Sequence, residues 1–294
     1  MSLDSPSGGN LPLSSCRKPE APRTLNPVGP DELGWVSGEI DLSRANPARM
    51  YDYFLGGTQN FPVDRELADQ AIALRPELPR AARLNRAFLG RAVRHAVGAG
   101  IRQFLDLGSG IPTEANVHEV AHAADRRCRI AYVDVEPVAV AHSHRLLTGH
   151  PRVSVTQADL RDVTQVLADA GVRAQLDFDQ PIALLLVAVL HFLPAEDDPA
   201  GVVRQYVSAL PPGSLVAISH VTTDNLPSEW RTVAGLYQRS ATPIHPRTLA
   251  EVAAMFGDLP LIPPGLVDAV DWRPEPGAPP QSVSGFYAGV ATKP

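Results

Sequence analysis

The chain has 294 residues and a formal net charge of −6, with 26 lysines and arginines against 32 acidic residues. Because no basic stripe interrupts this acidic balance, nucleic acid is not expected as a partner. Two cysteines, Cys16 and Cys128, are too few for a disulfide framework, and the longest apolar run, 182–190, is too short to cross a bilayer. With no basic-then-apolar signal pattern at the start, the sequence predicts a cytoplasmic protein without a membrane partner.

Composition divides the chain into three segments. Residues 1–38 are rich in Pro, Ser and Gly and poor in apolar residues, so they predict a disordered tail. Residues 39–100 carry helical apolar periodicity and predict an N-terminal extension that forms a lid. From 101 to 294, apolar strands alternate with helical segments, which predicts a cofactor-binding α/β domain.

Three helices are predicted in the extension. The first is capped by Asp41 or Ser43 and ends at the Gly-Gly pair 56–57. The second begins after Pro62, and the third covers about 81–97, with apolar residues on one face and arginines on the other.

The remaining pattern predicts a Rossmann-like, doubly wound sheet of seven mostly parallel strands with an antiparallel last strand. The strands are expected near 102–107, 129–134, 153–157, 182–190, 214–220, 261–268 and 283–292. The helices between them are expected near 113–124, 137–147, 161–170 and 198–209.

The most informative motif follows the first predicted strand. The strand carries Asp106 and runs directly into the turn Gly108-Ser109-Gly110. The second strand ends in another acid, Asp134. A glycine turn after strand one and an acid at the tip of strand two are the parts that hold a ribose, so these residues predict a nucleoside-containing cofactor.

Two cofactors compete for this turn. A dinucleotide-binding turn has a third glycine where this chain has Thr113, and it does not usually carry an acid at the position of Asp106. A carboxylate at that position suits S-adenosylmethionine (SAM), which has a sulfonium and an ammonium group but no pyrophosphate. The turn therefore favours SAM over NAD, and the remaining alternative is an ordinary strand–turn–helix with a structural aspartate.

A second motif points to different chemistry. Residues 118–122 read His-Glu-Val-Ala-His, the helical H-E-x-x-H pattern of zinc proteases. The extended form of that pattern needs Gly at 125 and His at 128, where this chain has Asp125 and Cys128. The motif also lies in the helix that follows the glycine turn, so no metal site is predicted. His122 is expected at the surface, and His118 within reach of the cofactor pocket.

These segments together resemble class I SAM-dependent methyltransferases. More narrowly, they resemble a bacterial S-adenosyl methyltransferase family once classed as a domain of unknown function. The resemblance spans about 40 to 290, and Pro112 departs from the glycine that methyltransferases usually have there. The segments that carry it are IDLSRANPARMYDYFLGGTQNF (40–61), NRAFLGRAV (85–93), QFLDLGSGIPTEANVHEVA (103–121), YVDVEPV (132–138), QADLRD (157–162), LLVAVLHFLP (185–194) and PPGSLVAISH (211–220).

The resemblance implies a role for each matching residue. Asp106 and the Gly108-Ser109-Gly110 turn would receive the amino-acid half of SAM. Asp134 would bind both ribose hydroxyls, with Val135 packing near the adenine. Asp159 would meet the adenine amino group, with Leu160 as a backbone donor. From the residues alone, each acid has an alternative role as a helix cap: Asp134 before Glu136-Pro137, and Asp159 for the helix that begins at Arg161.

Candidates for catalysis come from strand ends and from the extension. His191 and His220 follow the fourth and fifth strands and are candidate proton acceptors, or else histidines bonded to backbone. Tyr51 is expected to face the sulfonium. Gly57 is expected to let the backbone approach the cofactor. The alternative is that the aromatic residues of this segment only anchor the extension to the sheet.

The sequence therefore predicts a SAM-dependent methyltransferase that acts on an unidentified small-molecule acceptor under a helical lid. Two other functions remain open from the sequence. One is a non-catalytic SAM-binding sensor or scaffold, and the other is an NAD-dependent oxidoreductase.

Overall fold

A computed structural model describes residues 41–222, 224, 229–277 and 283–294. The predicted tail, 1–38, lies outside the described residues. Among the described residues, no helix combines the length and the apolar character needed to span a membrane.

Three helices precede the sheet: α1 (Pro47–Phe54), α2 (Pro62–Leu74) and α3 (Leu78–Gly98). The prediction of their order is confirmed, but the predicted cap of the first helix is wrong. Asn46 caps α1 by accepting a hydrogen bond of 2.8 Å from the backbone N–H of Ala48. Asp41 instead accepts hydrogen bonds from Ser43 in a local turn that precedes the helix.

The sheet has seven strands in the order β3-β2-β1-β4-β5-β7-β6, and β7 is antiparallel to both of its neighbours. This confirms the predicted doubly wound sheet with an antiparallel last strand. The strands are β1 (Gln103–Leu107), β2 (Arg129–Asp134), β3 (Val153–Gln157), β4 (Ala183–Val187), β5 (Leu215–Val221), β6 (Val267–Asp268) and β7 (Phe286–Thr292). The order reverses beside β1, so the carboxyl ends of β1, β2 and β4 open a crevice there.

Helices connect the strands and cover both faces of the sheet. They are α4 (Val117–Ala124), α5 (Pro137–Leu147), α6 (Val163–Ala168), α7 (Ala170–Gln175), α8 (Pro199–Ala209), α9 (Glu229–Tyr237) and α10 (Leu249–Ala254). Successive strand residues enter different cores: Phe104 packs into one buried cluster and Leu105 into another. A third cluster joins α1, α2 and the start of α3 to Trp230 and Val233 of α9.

Two predicted helices have different bounds. The helix expected from 113 begins only at Val117, because Asn116 and Glu119 form its capping box. The helix expected at 161–170 is split into α6 and α7, since Asp169 turns the chain and caps α7 through the N–H groups of Gly171 and Val172.

Three predicted strands are shorter than expected. β4 ends at Val187 because Ala188 takes a φ of 57°, after which the chain forms a 3-10 turn at Leu190–Phe192. The segment 261–268 pairs only at Leu261 and in β6, since Pro263 and Pro264 have no N–H for the ladder. The last strand starts at Phe286 rather than at 283.

Candidate active site

A cavity of about 400 Å³ lies at the carboxyl ends of the central strands, beneath α1, α3 and α9. One end is lined by the strand-end loops. The other end is lined by residues of α1, α3 and α9, which we call the cap. Eight of the predicted cofactor residues line it together: Asp106, Gly108, Ser109, Gly110, Asp134, Val135, Asp159 and Leu160. Residues separated by more than 50 positions in the chain thus meet at one sheet edge, as the parallel topology requires.

The glycine turn is shaped for close approach of a ligand. Gly108 and Gly110 have φ values of 70° and 65°, a region that residues with a Cβ rarely adopt. A Cβ on Gly108 would lie 2.2 Å from Val189 Cγ2, whereas a Cβ on Gly110 would meet nothing within 4 Å. Gly108 therefore permits packing against the β4 loop, and Gly110 leaves open space at the cavity.

Asp134 holds this turn in place. Its carboxylate accepts hydrogen bonds from the backbone N–H groups of Gly110 at 2.7 Å and Glu136 at 2.8 Å. Burial raises the pKa of Asp134. The cap of α5 is Glu136, which accepts from Ala139 N at 2.7 Å, so Asp134 is not the helix cap that the sequence left open.

Asp106 is the second buried acid at this end. Burial raises the pKa of Asp106 to about 7, while the nearby Arg86 guanidinium acts in the opposite direction. A carboxyl poised near neutrality in a cavity favours binding of a cationic group, which restores its ionised form.

Asp159 and Leu160 line the far end of the strand-end loops. Asp159 accepts hydrogen bonds from the backbone and side chain of Arg161, which lower the pKa of Asp159. The cap of α6 is Asp162, so Asp159 is not a helix cap either.

The other end of the cavity is apolar. Polar residues also line it: Asn46, Tyr51, Asn85, Arg86, His191 and Thr242. The apolar residues that line it include Phe54, Leu78, Leu89, Phe192, Trp230, Val233, Tyr237, Ile244 and Phe286. Several of these lie on α9 or after it, a region in which the sequence predicted no helix.

His191 is a buried histidine in the wall of this cavity. The side chain lines the cavity, and its Nδ1 is buried without a hydrogen-bond partner among the described residues. Burial, assisted by the nearby charges of His220 and Arg247, keeps the pKa of His191 well below its usual range. The imidazole is therefore neutral at physiological pH.

His220 and Tyr51 have their polar atoms committed elsewhere. His220 is fully buried and outside the cavity lining; Nδ1 contacts Val221 O at 2.8 Å and Nε2 contacts Arg247 at 3.0 Å. Since a carbonyl only accepts and a guanidinium only donates, both contacts require the Nδ1–H tautomer. Tyr51 lines the cavity, but its hydroxyl donates to Ala82 O at 3.0 Å and accepts from Asn85 at 3.1 Å.

Asn85 extends this contact into a network that sequence reasoning missed. Its Oδ1 accepts a hydrogen bond of 2.6 Å from Ser219 Oγ, which in turn accepts from Ala188 N at 3.0 Å. The chain of bonds joins α1 to the turn after β4, where Ala188 lines the cavity. No local pattern could reveal it, since its members come from four separate segments.

Gly57 does not line the cavity. It packs on Asp52, and a Cβ at this position would lie 1.9 Å from Asp52 Oδ1. The carboxylate of Asp52 also accepts from Gln59 N and Asn60 Nδ2, each at 2.8 Å. The close approach that Gly57 permits is therefore to a buried carboxylate of its own segment rather than to a ligand.

A second network of buried charged side chains joins α1 and α2 to the loop that follows β2. Arg49 of α1 lies 2.9 Å from Asp64 of α2 and 3.4 Å from Glu136, which is two residues beyond Asp134. All three side chains are almost completely buried. The sequence predicted a helix through Arg49, but it did not predict this contact.

The H-E-x-x-H residues serve local structure. His118 Nδ1 contacts the Tyr132 hydroxyl at 2.8 Å, and His122 Nε2 contacts Cys128 O at 2.9 Å. Glu119 accepts from Asn116 N. His118 lies outside the cavity lining, and His122 is partly buried rather than exposed. Among the described residues, no group of three or more His, Cys, Asp or Glu side chains is placed to hold a metal ion.

A sheet of this order, with buried acids at the ends of β1 and β2 beside a glycine turn, defines a class I SAM-dependent methyltransferase. The family model described as S-adenosyl methyltransferase matches residues 34–294. The chain belongs to this family and is a SAM-dependent methyltransferase with SAM as its cofactor. The match gives no support to an NAD-dependent oxidoreductase or to a non-catalytic SAM-binding protein.

Two solved structures are similar over most of the chain. A "putative methyltransferase" from Thermobifida fusca is 39% identical, with 86% of this chain and 96% of that chain covered and a TM-score of 0.80. A DUF574 family protein from Streptomyces avermitilis is 38% identical, with 87% and 100% covered and a TM-score of 0.83. A search of curated proteins gave no significant match.

Proposed function

We propose that this methyltransferase acts on a small, mainly apolar acceptor that binds beneath the helical cap. The observation that carries the proposal is the continuity of the cavity: its strand-end half suits SAM, and its cap half is lined by aromatic and aliphatic side chains. A charged macromolecular acceptor would find few polar partners there.

The strand-end residues are proposed to divide the cofactor between them. Asp134 accepts hydrogen bonds from the ribose hydroxyls, and Val135, 61% exposed, packs against the adenine. Asp159 and Leu160 meet the adenine edge. Asp106 and the turn of Gly108, Ser109 and Gly110 receive the amino-acid half. Bound SAM supplies a methyl group already activated by a sulfonium, so the protein needs mainly to align the acceptor and exclude water.

His191 is proposed as the proton acceptor. The sulfonium of bound SAM would supply the leaving group, so that a lone pair of the acceptor could take the methyl group. The imidazole of His191, which lines the cavity, would take the proton that the acceptor loses. Tyr51 is proposed to orient the cap through its bonds to Ala82 and Asn85, because its hydroxyl proton is already used.

Residues 39–100 are proposed to act as a lid together with α9, since these segments share one apolar cluster. The remaining part, 101–294, is proposed as the SAM-binding domain to which this lid attaches.

The test is to incubate the protein with methyl-labelled SAM and a bacterial extract and to follow the label by mass spectrometry. Label in a low-mass, apolar product is expected, and it should disappear with His191→Gln but persist with Arg94→Gln, a change at an exposed ion pair. Label found mainly in protein or nucleic acid would contradict the proposed acceptor class.

A further inference from the structure

Arg247, in the segment between α9 and α10, holds the turn that carries His191. Its Nη1 donates a hydrogen bond of 3.2 Å to Leu190 O, and its Nη2 donates one of 2.7 Å to Leu193 O. Between these two carbonyls, His191 O accepts a hydrogen bond of 2.7 Å from the backbone N–H of His245. The 3-10 turn after β4 is therefore fixed by a segment that lies more than 50 positions further along the chain.

The same guanidinium also supports the imidazole of His191 from the side. Nη1 of Arg247 lies 3.0 Å from His220 Nε2. The ring of His220 stands edge-on to the ring of His191, with 5.5 Å between the ring centres. Phe192 and Phe286 pack around the same imidazole, at 4.4 and 6.3 Å between ring centres. One arginine thus contacts both the backbone of the turn and a ring against which the His191 side chain packs.

An ion pair does not account for the position of Arg247. Among the described residues, no ion pair within 4.0 Å includes it. Glu251 is the acid whose charge acts on Arg247, but its carboxylate accepts hydrogen bonds from Thr248 N and Thr248 Oγ1 at 2.8 and 2.7 Å. The planar fork of donors on the guanidinium is therefore oriented by two carbonyls and one imidazole.

The segment that carries Arg247 also lines the cavity. Thr242 and Ile244 belong to the lining. At its other end, the backbone N–H of Ala241 donates a hydrogen bond of 2.8 Å to Ala45 O, just before α1. Residues 241–247 therefore run from the start of the cap, along the cavity, to the turn after β4.

We propose that Arg247 is a positioning residue that holds the imidazole of His191 in the cavity wall, by fixing the turn 190–193 and the ring of His220. Arg247 itself lies outside the cavity lining, so it acts through these neighbours. A displacement of about 1 Å of a reacting group can cost about 100-fold in rate. The inference rests on the proton-acceptor role proposed for His191, but the environment of the ring is measurable without turnover.

The first measurement is NMR of ring-¹⁵N-labelled histidine in Arg247→Met and Arg247→Lys, with the His191 signals assigned from His191→Gln. Burial and the charges of His220, Arg247 and His245 keep the pKa of His191 well below its usual range. In Arg247→Met we expect the ring signals of His191 and His220 to shift and the pKa of His191 to rise. In Arg247→Lys the charge remains, so the pKa should stay low. The ring signals should still shift, because an ammonium lacks the fork that spans the three acceptors.

The second measurement is the rate of methyl transfer from labelled SAM into the low-mass product. Both variants should be about 10- to 100-fold slower than the unaltered protein. Their affinity for S-adenosylhomocysteine should stay within about threefold, because the residues proposed to bind SAM are not contacted by Arg247. The matched control is Arg239→Met, an exposed arginine just after α9 that donates to Gln70 Oε1 at 3.0 Å, which should change none of these properties.

Unchanged ring signals of His191 in both variants would overturn the inference. Full recovery of the rate in Arg247→Lys would also overturn it, since charge rather than geometry would then be the contribution of Arg247. If Arg247→Met fails to fold and binds no S-adenosylhomocysteine, the lysine variant decides alone. Shifted His191 signals together with a full rate in His191→Gln would leave the positioning contact in place and refute the proposed proton acceptor instead.

Discussion

The carboxylate of Asp52, in the first helix, accepts a hydrogen bond of 2.5 Å from the Thr113 hydroxyl, 61 residues further along the chain. Thr113 occupies the position where a dinucleotide-binding turn would have its third glycine. Thr113 therefore distinguishes this turn from a dinucleotide site, and it also joins α1 to the loop that follows β1. Burial raises the pKa of Asp52, and hydrogen bonds from Thr113, Asn60 and Gln59 oppose that rise.

Gly57→Ala should destabilise the protein because of this carboxylate. The new Cβ would lie 1.9 Å from Asp52 Oδ1, so the network must shift, at a cost of about 1–3 kcal/mol. Denaturant unfolding measures the change. Gly98→Ala is the control, since a Cβ there meets nothing within 4 Å and should leave stability equal or slightly higher. Equal stability of both variants would mean that Gly57 does not pack closely on Asp52.

Arg49→Met should cost much more than a change at a surface ion pair. It leaves the carboxylates of Asp64 and Glu136 buried without their cation, which typically costs about 3–5 kcal/mol. Arg94→Met removes an exposed pair to Glu275 and should cost less than about 1 kcal/mol. Thermal and denaturant unfolding of the two variants give the comparison. A cost for Arg49→Met no larger than that of the control would count against the buried network.

Asp106 should make the ligand-free protein less stable as the pH rises. The pKa of Asp106 is about 7 in the folded protein against an ordinary 3.8, so between these values the folded state binds more protons than the unfolded state. The contribution of Asp106 to the free energy of unfolding therefore falls between about pH 4 and about pH 7. The stability of Asp106→Asn relative to the unaltered protein should rise by about 2–4 kcal/mol between pH 4 and pH 8.

Asp159→Asn is the control for this pH series. Hydrogen bonds from Arg161 lower the pKa of Asp159, so its stabilisation is present at neutral pH and is lost as the pH falls below 3.8. Asp159→Asn should therefore be less stable than the unaltered protein at neutral pH, and this difference should shrink only as the pH falls below 3.8. Asp106→Asn should show the opposite trend, because its stability relative to the unaltered protein rises with pH. Parallel pH dependence for the two variants would contradict burial as the cause at Asp106.

If Asp134 binds the ribose as proposed, Asp134→Asn should weaken binding of S-adenosylhomocysteine by about 2–4 kcal/mol, because a charged acceptor for two hydroxyls is lost. Part of the loss reflects the turn, since Asp134 also accepts from Gly110 N and Glu136 N. Titration calorimetry measures it, with Asp162→Asn as the control in a helix cap outside the cavity lining. Affinity that survives the Asp134 change would remove this residue from the ribose site.

His191→Gln should lower kcat by about 10²- to 10⁴-fold on the labelled acceptor while leaving S-adenosylhomocysteine affinity unchanged. Because the pKa of His191 lies well below its usual range, the rate should not fall through protonation of His191 between pH 6 and pH 8, a range in which an ordinary histidine titrates. Tyr51→Phe should change kcat by less than about tenfold, since its hydroxyl serves the cap. Similar kcat losses in both variants would contradict the separate roles.

The sequence could predict which residues line the strand-end half of the cavity because their signals are local. Asp106, the Gly108–Gly110 turn and Asp134 each follow directly from a strand and its end. Parallel strands then bring those ends to one edge whatever fills the rest of the structure. The helix caps were less accessible, since several acids near a helix start compete for the same N–H groups and only the backbone path selects one.

Only the tertiary structure decided what closes the cavity and which polar side chains remain available in it. Trp230 and Val233 join the cap from more than 150 positions beyond α1, and the partners that commit His220 and Tyr51 come from other segments. The close approach at Gly57 was predicted to be to the cofactor, whereas in the structure the group approached is the carboxylate of Asp52. Such contacts depend on how helices pack across the sheet, and periodicity within one segment does not encode its neighbours in space.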